Sequence, residues 1–105
     1  MYMTPKSGIV TFEWDEGNID KSYEKHGVVF KEIEEVFLDE SAFVVPDIAH
    51  SQKEPRYIII GCTIGGKRLF VVFTIRKDHV RIVSARRMHA REVVKYETIK
   101  KNSSL

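Results

Sequence analysis

Three apolar runs between Tyr57 and Arg87 dominate the pattern of the chain, and two short polar breaks, Gly65-Gly66 and Lys77-Asp78, separate them. The runs are rich in Ile, Val, Phe and Thr, side chains that suit a pleated surface. They predict a three-stranded antiparallel meander over Tyr57–Ile64, Lys67–Arg76 and His79–Arg86. Upstream, Ile9–Trp14 alternates loosely and predicts a short strand. A short helix from about Ile19 to Lys25 follows, with Ile19, Tyr23 and His26 at i, i+4 and i+7 and Gly27 at the C′ position. Phe30–Leu38 reads as a second helix, with Phe30, Ile33, Val36 and Phe37 on its apolar face. Ala42–Val45 is a brief strand ended by Pro46-Asp47, and Ile48–Pro55 a loop. A last helix runs from about Met88 to Lys100, with Ala90, Val93, Val94 and Glu97 on one side. The fold class is α+β: a meander packed against two N-terminal helices, with a C-terminal helix. We read residues 1–105 as one domain with an ordered core over about residues 9–100.

Turn geometry divides the meander into faces. A two-residue Gly65-Gly66 turn sets Ile64 opposite Lys67, and a two-residue Lys77-Asp78 turn sets Arg76 opposite His79. Opposed residues share a face. One face then collects Ile58, Ile60, Cys62, Leu69, Val71, Phe73, Ile75, Val80 and Ile82. The other carries Tyr57, Thr74 and Arg81 in one row and Thr63, Arg68 and Arg87 in the last. Between these rows it is apolar. Either the C-terminal helix or a partner protein covers such a patch.

Composition changes the picture in one respect. Residues 1–55 carry 5 basic and 12 acidic side chains, whereas residues 56–91 carry 9 basic and 1 acidic. A basic half attracts polyanions, nucleic acid first; acidic helices of the same fold would equally balance a solvated sheet face. The longest apolar run, Leu69–Phe73, is too short to span a membrane, and Met1–Gly8 lacks the apolar core of a signal peptide. The single cysteine, Cys62, excludes an internal disulfide framework and fits a reducing cytoplasm.

No metal-ligand spacing, phosphate-cradling glycine loop or nucleophile elbow is present. The remaining chemistry is that of arginine and imidazole. Arg81, Arg86 and Arg87 close the meander, and their guanidinium forks match phosphate oxygens. His26, after Lys25 at a helix end, is either a general acid or base or a residue bonded to terminal carbonyls. Trp14 reads as core rather than as a base-stacking platform, and His50 and His79 as loop residues.

The order F-E-W-D (Phe12–Asp15), Asn18, K-H-G-V (Lys25–Val28), E-V-F-L-D (Glu35–Asp39), R-Y-I-I-I-G (Arg56–Gly61), R-I-V-S-A-R-R (Arg81–Arg87) and R-E-x-x-x-Y-E (Arg91–Glu97) resembles the BrnT family of bacterial toxins. The resemblance spans about residues 10–97, and Ser22 stands where a second asparagine is common. It implies a RelE-like fold and a cytoplasmic endoribonuclease of a type II toxin–antitoxin system that arrests translation. Cleavage would need no metal or cofactor and would proceed by 2′-OH attack on the adjacent phosphate. The implied partner is a BrnA-like ribbon-helix-helix antitoxin, with operator DNA bound only through the complex and no membrane involved. By motif position, Arg81 and Arg86 would bind phosphate or stabilise the transition state. Lys25 and His26 would transfer protons or stabilise charge, and Arg56, Arg68 and Arg87 would hold RNA. Two other readings remain: a non-catalytic module that binds nucleic acid or an antitoxin, and an unrelated small enzyme with an anion site at Tyr57 and Arg81.

Overall fold

The computed structural model describes residues 11–14, 27–50 and 54–103. Its elements are β1 (Thr11–Glu13), α1 (Phe30–Val36), β2 (Phe43–Pro46), a single 3-10 turn (Ile48–His50), β3 (Tyr57–Cys62), β4 (Arg68–Arg76), β5 (His79–Arg87) and α2 (Ala90–Ser103). The expected helix over Ile19–Lys25 lies outside the described residues. All five strands form one sheet in the order β1-β5-β4-β3-β2. The meander is its centre, β2 adds an antiparallel edge, and β1 pairs parallel with β5.

The two helices among the described residues begin with the same device. The Glu32 carboxylate accepts the N–H of Val29, just before α1, at 3.1 Å. The Glu92 carboxylate accepts the N–H of His89, just before α2, at 2.7 Å. Each glutamate satisfies one otherwise unpaired donor at a helix start. Each also grips a basic side chain of the sheet region, Lys67 at 2.7 Å and Arg86 at 2.8 Å respectively.

Helix α1 covers one sheet face. Val28, Ile33, Val36 and Phe37 pack there against Ile59, Leu69, Val71, Phe73, Val80, Ile82 and Ala85, with Phe12, Trp14, Val44 and Tyr57 at the margin. Trp14 is packing material, as its sequence context suggested: its indole N–H donates to Glu34 at 2.8 Å and its ring meets Phe30 edge-on. Gly61 lies where the segment after α1 crosses the sheet, and an added Cβ would sit 2.9 Å from Ala42 Cβ and 3.0 Å from Val36 Cγ1.

Helix α2 lies on the other face, at one end. Its buried side chain is Tyr96, whereas Val94 is 66% exposed, so the expected Val93–Val94 face is corrected. Tyr96 donates its hydroxyl to Asp39 Oδ2 at 2.6 Å, and the same oxygen accepts the Cys62 N–H at 2.8 Å. Burial, then the bond to Asp39, push the Tyr96 phenol well above its ordinary range. Burial and Asp39 likewise raise the Cys62 thiol, which keeps it protonated.

The β3–β4 register differs by one residue from that expected. Tyr57 pairs with Phe73 and Cys62 with Arg68. The connection is a three-residue loop, because Thr63 accepts the Gly66 N–H at 3.0 Å and donates its own N–H to Lys67 O at 2.9 Å. Only Gly66 there uses a positive φ, of 93°. Turning first and then entering the left-handed region is the usual three-residue hairpin solution. The slip reverses the faces of β3. Tyr57 and Ile59 join the core face, whereas Ile58, Ile60 and Cys62 belong to the second. The β4–β5 turn is the two-residue one expected, with φ of 49° at Lys77 and 67° at Asp78, so Arg76 opposes His79 and Thr74 opposes Arg81.

Two substitutions test this packing. Gly61→Ala should lower unfolding free energy by about 1–3 kcal/mol in a denaturant titration, since Ala42 and Val36 must move. Tyr96→Phe should cost about 1 kcal/mol at neutral pH. The folded-state pKa of Tyr96 is raised, so its stabilising contribution is complete below about pH 10 and declines as pH climbs towards the folded value. The Phe variant should therefore lose less stability than the parent between neutral and strongly alkaline pH.

Candidate functional site

The second sheet face is cationic at both ends and apolar between them. Ile58 and Val72 oppose each other in its middle, beside Val45 and Ser84. These side chains are half-buried. At one end Arg76 and Arg81 lie on β4 and β5, and Arg56 immediately precedes β3. Continued by one residue, the β3–β4 register sets Arg56, and not Tyr57, beside Thr74 and Arg81. Glu54 sits among the three guanidiniums: the Arg76 bond at 2.7 Å, then the fields of Arg76, Arg56 and Arg81, outweigh its slight desolvation and hold its carboxyl below the usual range. Arg81 also meets Glu13 at 3.1 Å. Thr74 is buried and donates its hydroxyl to Pro55 O at 2.7 Å.

At the other end are Arg68 and Arg86, under the middle and the start of α2 respectively. Arg68 pairs with Glu97 at 2.9 Å. Arg86 sits over Phe70, its guanidinium carbon 3.8 Å from the ring centroid. Its Nη1 and Nη2 donate to the two oxygens of Glu92 at 2.8 and 2.9 Å, and Nη1 donates again to Arg87 O at 2.9 Å.

Arg81 and Arg86 share this face because β5 is irregular. Five residues apart on a regular strand, they would point to opposite faces. The ladder passes from Phe73–Ile82 to Val72–Ser84 and leaves Val83 unpaired. This bulge shifts the alternation by one. Ala85 turns into the core and Arg86 out of it, with Phe70 as its partner. Across the four ladder steps from Thr74 to Phe70, the two arginines are set about 13 Å apart.

The remaining expected site residues are dispersed. Arg87 opposes Leu69 and so lies on the α1 side of the sheet, where its charge acts on Glu32. It is therefore not in one row with Arg68, as the regular register implied. Arg56 and Arg68 stand at opposite ends of the sheet. Lys25 and His26 lie outside the described residues; Gly27, the next described residue, accepts Lys67 Nζ at 3.4 Å. His79 is part of β5 and not a loop, and shares the second face with Arg81. Its Nδ1 is 2.8 Å from Lys77 O, a geometry in which that nitrogen donates to the carbonyl. The two-residue Lys77-Asp78 turn already sets His79 at the start of the strand, against its reading as a loop residue; Glu92 and the bulge carry no comparable local signal. Among the described residues no cluster of three or more His, Cys, Asp or Glu could hold a metal ion, and no helix is long and apolar enough to cross a membrane.

The arrangement defines a small α+β protein whose second sheet face gathers arginines at both of its ends. The family model for the ribonuclease toxin BrnT of type II toxin–antitoxin systems matches residues 14–92. The chain belongs to this family, and as a type II toxin it has an antitoxin partner. The structure is similar to the crystal structure of the Brucella abortus ribonuclease toxin BrnT, with a TM-score of 0.58 and 25% sequence identity over 77% of this chain and 99% of that one. No curated protein sequence matches the chain.

Glu92 makes the Arg86 end acid-sensitive. The Arg86 fork outweighs burial and, with the His89 N–H, holds its carboxyl below the ordinary value of 4.5. Its contribution to stability is therefore present above that value and lost as pH falls through the folded one. In denaturant titrations from about pH 6 to about pH 3, Glu92→Gln should be less stable than the parent at the upper end and approach it at the lower.

Proposed function

We propose that the chain is a metal-independent endoribonuclease that binds the RNA backbone along the second sheet face and arrests translation by cleaving RNA. Arg81 and Arg86 contact the reacting phosphate or an adjacent one and stabilise the charge that develops as the 2′-OH attacks. The observation that carries this reading is the bulge at Val83, which turns both guanidiniums to one open face beside Thr74 and Ser84. Lys25 and His26 serve proton transfer or charge stabilisation. Arg56 and Arg68 extend the RNA-binding track at its two ends, and Arg87 holds RNA at the sheet margin. The 105 residues act as a single cytoplasmic domain of RelE-like arrangement. A BrnA-like ribbon-helix-helix antitoxin neutralises it, and operator DNA is bound only by the complex.

A second reading is favoured by one observation: Arg68, Arg76, Arg81 and Arg86 each already hold a carboxylate of the same chain. Arginines so engaged suit a module that binds nucleic acid or its antitoxin without cleaving.

Purified protein incubated with RNA in EDTA separates the readings. Cleavage leaving 2′,3′-cyclic phosphate ends is the outcome for the enzyme, and Arg81→Ala and Arg86→Ala should each lower the rate about 10²-fold while remaining folded. Intact RNA at high protein excess, with binding that falls steeply with salt, identifies the non-catalytic module. Cleavage abolished by EDTA and restored by a divalent cation would overturn metal independence.

A further inference from the structure

We propose that Glu92 is the positioning residue for Arg86, and that the pair presents one edge of the guanidinium as a preformed fork for a single phosphodiester group. This rests on the reading of the second face as the RNA site. Arginine has five N–H donors in one plane. Three are used inside the protein, two on Glu92 and one on Arg87 O. Among the described residues, Nε–H and the second Nη2–H have no acceptor. These two point along the same edge, in the side-by-side geometry that binds two oxygens of a phosphate.

The group is restrained on several sides. Phe70 supports one face of the group, its ring centroid 3.8 Å from the guanidinium carbon. Rotation within the guanidinium plane is stopped by the two bonds to Glu92. Glu92 is itself fixed, because its Oε1 also takes the His89 N–H at the start of α2. The carboxylate grips the edge of the guanidinium opposite Cδ, so a phosphate on the free edge need not displace it. Because the pair is nearly neutral, recognition here depends on direction more than on net charge.

That last point sets the experiment. Glu92→Ala adds a net positive charge to the face. If charge count governs, RNA binding and cleavage should hold or improve; if Glu92 positions the fork, they should fall. We expect kcat/KM for RNA cleavage to drop about 10–100-fold in Glu92→Ala. The same change in an Arg86→Ala background should cause no further loss. Glu92→Gln, which keeps an acceptor for one Arg86 N–H and for the helix start, should recover most of the rate. Thermal melts of each variant show whether it is folded, and a change acting only through the helix cap would lower Tm equally in both backgrounds without this rate pattern. Near-parental cleavage by folded Glu92→Ala with Arg86→Ala impaired, or equal losses in the two backgrounds, would overturn the proposal.

A non-cleavable 2′-O-methyl RNA keeps it distinct from the ribonuclease reading. If the parent protein binds this probe but cleaves no RNA, the enzyme reading fails alone. Weaker binding by Glu92→Ala, absent in the Arg86→Ala background, then still supports the positioned fork. Unchanged or tighter binding by Glu92→Ala, or no binding by the parent at all, overturns it.

Discussion

One carboxylate joins the parts of this protein that the sheet ladder does not. Asp39 follows α1, and its two oxygens reach three segments: Oδ1 takes the Ser41 N–H, and Oδ2 takes both the Cys62 N–H and the Tyr96 hydroxyl. The exit of α1, the end of β3 and the middle of α2 are thereby fixed to one another. Gly61 belongs to the same junction, since Asp39 Oδ2 lies 3.1 Å from where its Cβ would be. An apolar contact could bury similar area, but it would not set the rotation of α2. A short bond from the ring end of Tyr96 does, and so determines that Glu92 and Glu97 face the arginines of the sheet.

The charge asymmetry along the chain acquires a structural meaning from this placement. Acidic residues of α1, β1 and α2, together with Glu54, meet the basic residues of the meander, so much of the excess is balanced internally. The pairs at the rim are half-exposed and add little stability each. Their larger effect is on orientation. A paired arginine retains donors: Arg86 spends three of its five N–H groups inside the protein.

How much could be read in advance depended on the range of the interaction concerned. The three central strands, β2, α1 and α2 were legible because their residue types and periods are local properties. The Lys77-Asp78 turn was legible for the same reason. Gly65-Gly66 was not, because Thr63, two residues before the pair, closes a wider loop with Lys67 and leaves only Gly66 in the positive-φ region. That one-residue difference moved Tyr57 into the core and brought Arg56 to its place beside Thr74. The buried side of α2 was hidden because Tyr96 answers to Asp39, 57 positions away. Of the candidate site, the facing of Arg68 and Arg81 was legible from the strand periods and the Lys77-Asp78 turn, whereas that of Arg86 and Arg87 was not, because the bulge at Val83 reverses it.

The unpaired Val83 separates distance along the chain from position in space. Without it, a strand counting from Arg81 in strict alternation would turn Arg87 outward and send Arg86 towards the core. With it, the same seven residues behave as though they were six. A relative one residue shorter in this strand would present an equivalent pair of arginines on a flat ladder, while an equally long one that lacks the irregularity would not. Comparisons of this strand between proteins therefore require a gap opposite Val83; aligned without one, outward-facing and inward-facing arginines are equated.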